Sequence, residues 1–331
     1  MSNGSQELEL RRCEPGDEPA VLALLQASLG WVPDDQHARF FRWKHVENAF
    51  GPSPAWVAVD EGRVVGFRVL MRWEFASDRA DGRVVRAVRA VDTATHPDYQ
   101  GRGIFSRLTL HALDELRHEG VAFVFNTPND QSRPGYLKMG WQLVGRLPVL
   151  ARPRSPAALA RLARARTPAD KWSEPSDAGS PVGQVLADPA PVEALLTELP
   201  TGGIATRRSV EYLRWRYGFG PLAYRAVVAP GGVADGVVIF RLRRRGPALE
   251  AAVCEELAPP ATVGRLLRAV LRASGADHAV RLGGPDRVRA GFVPLPGQGP
   301  TLVWRDVTGT AAAARPEPAQ WRLALGDVEL F

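Results

Sequence analysis

An α/β (α+β) chain in which one folding unit occurs twice in tandem is the fold class this sequence predicts, and three observations carry the prediction. Helical and strand patterns alternate cleanly over the first 150 of its 331 residues. After an Ala-, Pro- and Arg-rich stretch from about Leu147 to Pro200, the same order of patterns returns. The two stretches also share a long run, FFRWKHVENAFGPSPAWVAVDEGRVVGFRVLMRW from Phe40 and YLRWRYGFGPLAYRAVVAPGGVADGVVIFRLRRR from Tyr212. Each run reads R-W-basic-aromatic, then F-G-P, a strand, a glycine turn and a longer strand, which is the mark of an internal repeat.

The elements follow in order. Leu8 to Arg11 alternates like a short strand, and a helix with Pro15 near its start carries Val21, Leu22, Leu24, Leu25 and Leu29 at helical spacing. Phe40, Phe41, Trp43 and Val46 predict a second helix, closed by Gly51-Pro52-Ser53-Pro54. Strands are predicted over Ala55–Val59, Val64–Phe75 and Val84–Thr95, with turns at Asp60-Glu61-Gly62 and Asp81-Gly82. Leu108, Leu110, Leu113 and Leu116 mark a helix from Ile104 to Arg117, and the continuous apolar run Val121–Phe125 is a buried strand. A helix near Tyr136 and a strand near Trp141 complete the unit, giving a first domain over residues 1–148. Residues 149–185 read as a linker, with a short helix at Ala157–Ala165 and an exposed stretch at Thr167–Pro181. The second domain, 186–331, has strands at Glu250–Leu257 and Ala279–Leu282 around a helix at Val263–Ala273. Its Ala290-Gly291-Phe292 echoes Met139-Gly140-Trp141, and Trp321 to Phe331 alternates like a last strand.

A hydrophobic fraction of 45% and a charged fraction of 24% are those of a globular protein, and no apolar run is long enough to span a bilayer. The start is polar, with no basic-then-apolar leader, and the two cysteines, Cys13 and Cys254, read as free thiols, so the expected location is the cytoplasm. The formal charge is +6, almost all of it arginine, since the lysines are only Lys44, Lys138 and Lys171. That excess suits an anionic ligand, but the charges are scattered, and the one dense run, Arg241 to Arg245, reads as a solvated surface. No membrane and no specific nucleic acid is expected as a partner.

One stretch carries chemistry: Thr93-Ala94-Thr95-His96-Pro97-Asp98-Tyr99-Gln100-Gly101-Arg102-Gly103-Ile104-Phe105-Ser106. A strand runs into a glycine turn and a helix starts directly after it. Glycines let backbone amides converge on an anion, and the helix start adds its partial positive charge. The spacing is neither a Walker loop nor a dinucleotide fingerprint. Q-G-R-G-I after H-P-D-Y resembles the Q/R-x-x-G-x-G/A signature of the GNAT superfamily of N-acetyltransferases, over roughly residues 8–146. Phe105 stands where the family prefers Gly or Ala.

The resemblance implies two GNAT-like domains, each a mixed, mostly antiparallel sheet flanked by helices. It also implies acetyl-CoA or another acyl-CoA as co-substrate. The amides of Gln100, Gly101, Arg102, Gly103, Ile104, Phe105 and Ser106 would bind its pyrophosphate, and Thr93, Ala94 and Thr95 its pantetheine arm. Downstream, Asn129, Ser132 and Tyr136-Leu137-Lys138-Met139-Gly140-Trp141 resemble the family's N-x-x-A-x-x-x-Y-x-x-x-G-F stretch. By that resemblance Asn129 belongs to the cofactor site and Tyr136 protonates the departing thiolate; by its residue type alone Tyr136 could equally pack a helix–strand junction.

An amine nucleophile must lose a proton. Asp92, on the strand leading into the loop, is the best-placed carboxylate, as base or substrate anchor, or else as a cap for a neighbouring strand end or a partner for an arginine such as Arg89. His96 reads as a turn residue, and His111 and His118 as solvated. No His, Cys or carboxylate set has metal-ligand spacing. In the second copy the loop position reads Leu257-Ala258-Pro259-Pro260-Ala261-Thr262-Val263, without glycines and with prolines that remove amide donors, and the tyrosine position reads Arg287. The second copy is therefore expected to have lost the cofactor.

The expected activity is transfer of an acyl group to the primary amine of a small molecule by direct attack, with a strand amide stabilising the oxyanion. Two alternatives stand beside it: an acyl-CoA-binding or partner-recognition protein without turnover, and an aminoacyltransferase that draws on aminoacyl-tRNA, like the peptidoglycan-bridge enzymes. A tandem chain imitates a dimer, so the expected state is monomer or homodimer.

Overall fold

The computed structural model describes residues 8–76, 84–164, 167–200, 202–283, 289–309 and 316–329. The Asp81-Gly82 turn and Arg287 lie outside the described residues. The first stretch runs β1 (Glu9–Arg12), α1 (Glu18–Leu29), α2 (Asp35–His45), β2 (Ala55–Asp60), β3 (Arg63–Ala76), β4 (Val84–Thr95), α3 (Ile104–His118), β5 (Phe123–Asn126), α4 (Arg133–Lys138) and β6 (Gln142–Arg146). It continues through β7 (Val149–Pro153), α5 (Pro156–Arg164), β8 (Ser180–Pro181), α6 (Val182–Val185), α7 (Pro189–Glu198), β9 (Ile204–Thr206) and α8 (Val210–Tyr217). The second stretch holds β10 (Arg225–Ala229), β11 (Gly232–Arg245), β12 (Ala248–Leu257), α9 (Pro260–Ser274), β13 (His278–Leu282), β14 (Val293–Pro294), β15 (Thr301–Asp306) and β16 (Trp321–Arg322).

Two mixed, mostly antiparallel sheets result, each with a parallel pair at its centre, β4 with β5 and β12 with β13, and the first adds a short parallel pair of β16 with β9 at its margin. The first has the order β1-β2-β3-β4-β5-β15-β6, with β9 and β16 attached beyond β3, and the second β14-β7-β13-β12-β11-β10-β8. The two sheets exchange strands. β15 leaves the second stretch to sit between β5 and β6, and β7 leaves the first to sit between β13 and β14. Each exchanged strand carries an arginine that donates to the main-chain carbonyl before the repeated glycine: Arg305 to Met139 O, and Arg152 to Ala290 O.

One large core lies between the sheets and includes Phe67, Val69 and Trp73 of β3 together with Val237 and Ile239 of β11. The repeated R-W motif closes it: Trp43 Nε1 donates to Trp215 O and Trp215 Nε1 to Trp43 O, both at 2.8 Å, with the rings stacked at 5.5 Å. Separate cores pack α3 and α4 on the outer face of the first sheet and α9 on the outer face of the second. α3 lies so close to β3 that a Cβ on Gly66 would stand 2.5 Å from Ile104. That contact fixes where the first turn of α3 meets the sheet.

Three expectations are corrected. The stretch at Thr167–Pro181 is not an exposed linker: Asp170 N and Glu174 N bond to Arg244 O and Leu242 O, Trp172 packs against Phe40 and Phe219, and Ser180–Pro181 pairs with β10. An indole and regular backbone bonds outweigh a Pro/Ser-rich composition. The arginine run is not solvated. It is the end of β11, whose alternation turns Arg241, Arg243 and Arg245 inward onto Glu329 and Glu250 and leaves Arg244 outside. The tail is not one strand: only Trp321–Arg322 pairs, in parallel, with β9, and the chain then turns through Leu325–Asp327.

Candidate active site

β4 and β5 part company after a short parallel ladder. Their pairing ends at Arg89 with Phe125, while β4 runs on to Thr95 bonded only to β3. Within that extension Phe67 faces Ala94 and Val69 faces Val91, so Arg68 stands opposite two residues, Asp92 and Thr93. This bulge twists the strand and frees backbone groups toward the opening. Asp92 takes a φ of +40°, a strained conformation for a residue with a Cβ, costing about 1–3 kcal/mol.

The glycine loop closes the rim of the opening. Gly101 and Gly103 have φ of +76° and +74°, and a Cβ on either would meet nothing within 4 Å, so they serve backbone conformation. Gly103 caps α3, whose first internal bond is Arg107 N to Gly103 O, so the amides of Ile104, Phe105 and Ser106 point forward from the helix start. Gln100 and Arg102 are exposed beside them, with the Arg102 guanidinium over the Tyr99 ring at 4.6 Å.

Under the opening, sequence reasoning missed the central residue. Arg68 is fully buried, and its guanidinium donates to Tyr136 Oη at 2.9 Å and to Thr93 Oγ1. Its Nε and second terminal nitrogen have no hydrogen-bond partner, and no carboxylate pairs with it, among the described residues. A buried cation with spare donors is costly unless a ligand group meets it. A signal was there to read: a lone arginine inside the apolar run Val64-Val65-Gly66-Phe67-Arg68-Val69-Leu70-Met71. Tyr136, on the short helix α4, is 5% exposed, and its ring stands edge-on to Phe105 at 5.2 Å. Phe105, the departure from the family signature, thus sets its ring against Gly135 and Tyr136 of α4.

On the other side of the bulge, Asp92 meets two neighbours from the end of α2. Its carboxylate pairs with the fully buried Lys44 and accepts from His45 Nε2 at 2.9 Å, and His45 Nδ1 lies 3.1 Å from Ser53 Oγ. Burial opposes ionisation of Asp92, but Lys44 and His45 outweigh it and hold its carboxyl well below the usual range. Burial likewise pushes the His45 imidazolium down, leaving a neutral ring that donates from Nε2. Asp92 does not pair with Arg89, whose guanidinium bonds Asp327 O, Val328 O and Thr127 Oγ1.

The remaining residues stand as follows. Asn129 Oδ1 accepts from Ser132 N and Oγ at 2.8 and 2.9 Å, tying the turn into α4. Ala94 is buried against β3, Thr95 O accepts from Ser28 Oγ at 3.0 Å, and His96 Nε2 lies 2.6 Å from Arg63 on the surface. A cleft of about 810 Å³ beside Trp43, Phe50, Glu193 and Trp215 includes none of these residues. Among the described residues no group of three or more His, Cys, Asp or Glu could hold a metal ion.

A profile described as an acetyltransferase (GNAT) domain matches residues 9–144, the stretch that holds the loop, the bulge and Tyr136. The GNAT match is to this first stretch of the chain. Mycothiol acetyltransferase of Saccharomonospora viridis is 32% identical over 144 residues, 41% of this chain and 46% of that protein, so the match spans less than half of the relative's length. Two solved structures share the fold over 91% of the chain. They are GCN5-related N-acetyltransferases of Anabaena variabilis (14% identical, TM-score 0.64, 73% of that chain) and Kribbella flavida (17%, 0.63, 72%). Of the two repeated stretches, the first carries the glycine loop. The second starts α9 on Pro259 and Pro260, and Val238, counted from Gly236 as Arg68 is from Gly66, fills the place of the buried cation.

Proposed function

We propose that the first GNAT unit transfers an acyl group from acyl-CoA, acetyl-CoA in the first instance, to the primary amine of a small molecule. The observation that carries this reading is the parting of β4 and β5 over a buried, unpaired Arg68 that holds the hydroxyl of Tyr136. Spare buried donors below the opening, and a left-handed glycine turn leading into a helix start at its rim, fit a thioester carrying a pyrophosphate.

Acyl-CoA would supply the activated acyl thioester. The amides from Gly101 to Ser106 would hold the pyrophosphate, and β4 from Thr93 to Thr95 would pair with the pantetheine arm. Because Arg68 donates to Tyr136 Oη, the hydroxyl keeps its own proton free to give to the leaving sulfur, and the guanidinium then stabilises the phenolate left behind. Asp92, firmly ionised, is a weak proton acceptor and serves better as an anchor for the acceptor. The proton of the attacking amine leaves through water at the mouth of the cleft. No helix among the described residues is long and apolar enough to cross a membrane. We place the reaction in the cytoplasm.

Calorimetric titration of acetyl-CoA into the protein and a Gly103→Glu variant tests this. The added carboxylate meets the phosphate site. One site per chain, lost in the variant, is the expected result, and thiol release with an amine panel then reads turnover. Absence of any binding by the unaltered chain overturns the reading.

A further inference from the structure

The acceptor side of Asp92 holds one more cation than its anions account for. Lys171 reaches in from the segment between α5 and β8. Its ammonium stands 4.5 Å from the Phe40 ring centroid, 4.8 Å from Trp31 and 5.3 Å from Trp172. Lys44 approaches two of the same rings, Phe40 at 4.6 Å and Trp31 at 5.7 Å. Asp92 is spoken for by Lys44 and His45. Asp34, the other carboxylate whose field reaches Lys171, is turned to His37, accepting from its backbone and ring nitrogens at 2.7 and 2.8 Å. Among the described residues no carboxylate and no hydrogen-bond acceptor meets the Lys171 ammonium. Aromatic faces stabilise it in part, but two ammoniums sharing two rings repel each other.

The second half shows the same place with its charges matched. Arg216 is the repeat counterpart of Lys44, and Tyr217 of His45. There the tail brings in the missing anion: the Glu329 carboxylate lies 3.5 Å from Arg216 and 3.0 Å from Arg241. In the first half Asp92 matches Lys44, and among the described residues no carboxylate matches Lys171.

We propose that the aromatic-walled site beside Asp92 selects acceptor amines that also carry an anionic group, a carboxylate before a phosphate, and that Lys171 binds that group. This rests on the acyl-transfer reading only in taking the occupant to be the acceptor. An anion there would meet Lys171 at the rim, with the aromatic walls excluding water and the amine directed toward the parting of β4 and β5. A half-buried ammonium has far more to gain from such a partner than one already solvated.

The three lysines make a test that needs no known acceptor. The full chain is labelled briefly with an amine-reactive acetyl ester, and the label at Lys171 is read by peptide mass spectrometry against the exposed Lys138. Phenylacetate, phenyl phosphate and phenylacetamide are the probes. At ten times its dissociation constant, phenylacetate should slow labelling of Lys171 about tenfold relative to Lys138, and phenylacetamide should not. Protection by phenyl phosphate alone would transfer the site to phosphorylated acceptors and overturn the carboxylate preference. Equal labelling with and without both anions would overturn the proposal outright. In turnover, an amino acid should be preferred to its carboxamide, and Lys171→Gln should erase that preference by raising KM for the acid alone about tenfold; an unchanged ratio counts against it. Acetyl-CoA binding, measured on the same preparation, reports separately on the acyl-transfer reading.

Discussion

The two halves of the chain share a frame and differ in how they treat buried charge. In the first, Arg68 is buried without a carboxylate, and β4 separates from β5 above it. In the second, Val238 takes that place within an apolar cluster, and the cations on the inner face are matched by acids. Glu329 pairs with Arg216 and Arg241, Glu250 with Arg243 and Arg245, and Glu255 with Arg208. Asp327 adds bonds from Tyr212 and Thr206, each 3.0 Å. One half leaves the buried Arg68 guanidinium without a carboxylate below the opening; the other pairs Arg216, Arg241, Arg243, Arg245 and Arg208 with carboxylates of the chain. A charge network closed on itself holds the halves together, whereas an open one is available for chemistry.

Breaking the open network should have the largest effects. Tyr136→Phe keeps the ring against Phe105 and removes the proton, so kcat should fall about 10²–10⁴-fold while acetyl-CoA affinity in calorimetry changes little. A kcat left intact would reduce Tyr136 to a packing residue. Arg68→Val gives the first half the residue of the second. Activity should drop about 10²-fold while Tm rises, because an apolar side chain replaces an unpaired buried charge, a change worth about 1–4 kcal/mol. A lower Tm would show that Arg68 is structural.

Opening the closed network should be felt in stability and in its pH dependence. Burial opposes ionisation of Glu329, but Arg241, Arg216 and Arg243 hold its pKa down from 4.5 to about 2, worth about 3 kcal/mol. With the folded pKa depressed, this contribution is fully present above pH 4.5 and is lost as pH falls toward 2. Glu329→Gln should therefore be less stable in urea unfolding by about 3 kcal/mol at pH 7, and the gap should narrow between pH 4.5 and 2. A gap constant with pH would sink the assignment. Smallest is the tryptophan clasp: Trp43→Phe and Trp215→Phe should each cost about 1 kcal/mol, with a positive coupling in the double-mutant cycle.

Much of this was legible. The glycine loop, Tyr136 and the internal repeat stand in the sequence as patterns whose chemistry is local. Arg68 was missed because a single charge in an apolar strand carries no spacing to read, although its inward position makes it costly and so informative. Lys171 lies in a stretch whose composition suggested a solvated linker; only the rings of Trp31, Phe40 and Trp172, far apart in sequence, give it a place. The arginine run was legible in its alternation and misread through its composition. The exchange of β7 and β15 could not be found by any local rule, since an apolar strand such as Leu302–Trp304 fits either sheet.

That exchange sets an order of assembly that synthesis cannot follow. β5 waits for β15, which is made about 180 residues later, so while the chain grows the open edge of β5 has no permanent partner. At 5–20 residues per second the wait is on the order of 10–40 s, long compared with the closure of most small domains. The nascent first half, which holds the candidate active site, is therefore the state most exposed to edge-to-edge aggregation, and ribosome-associated chaperones have most to do there.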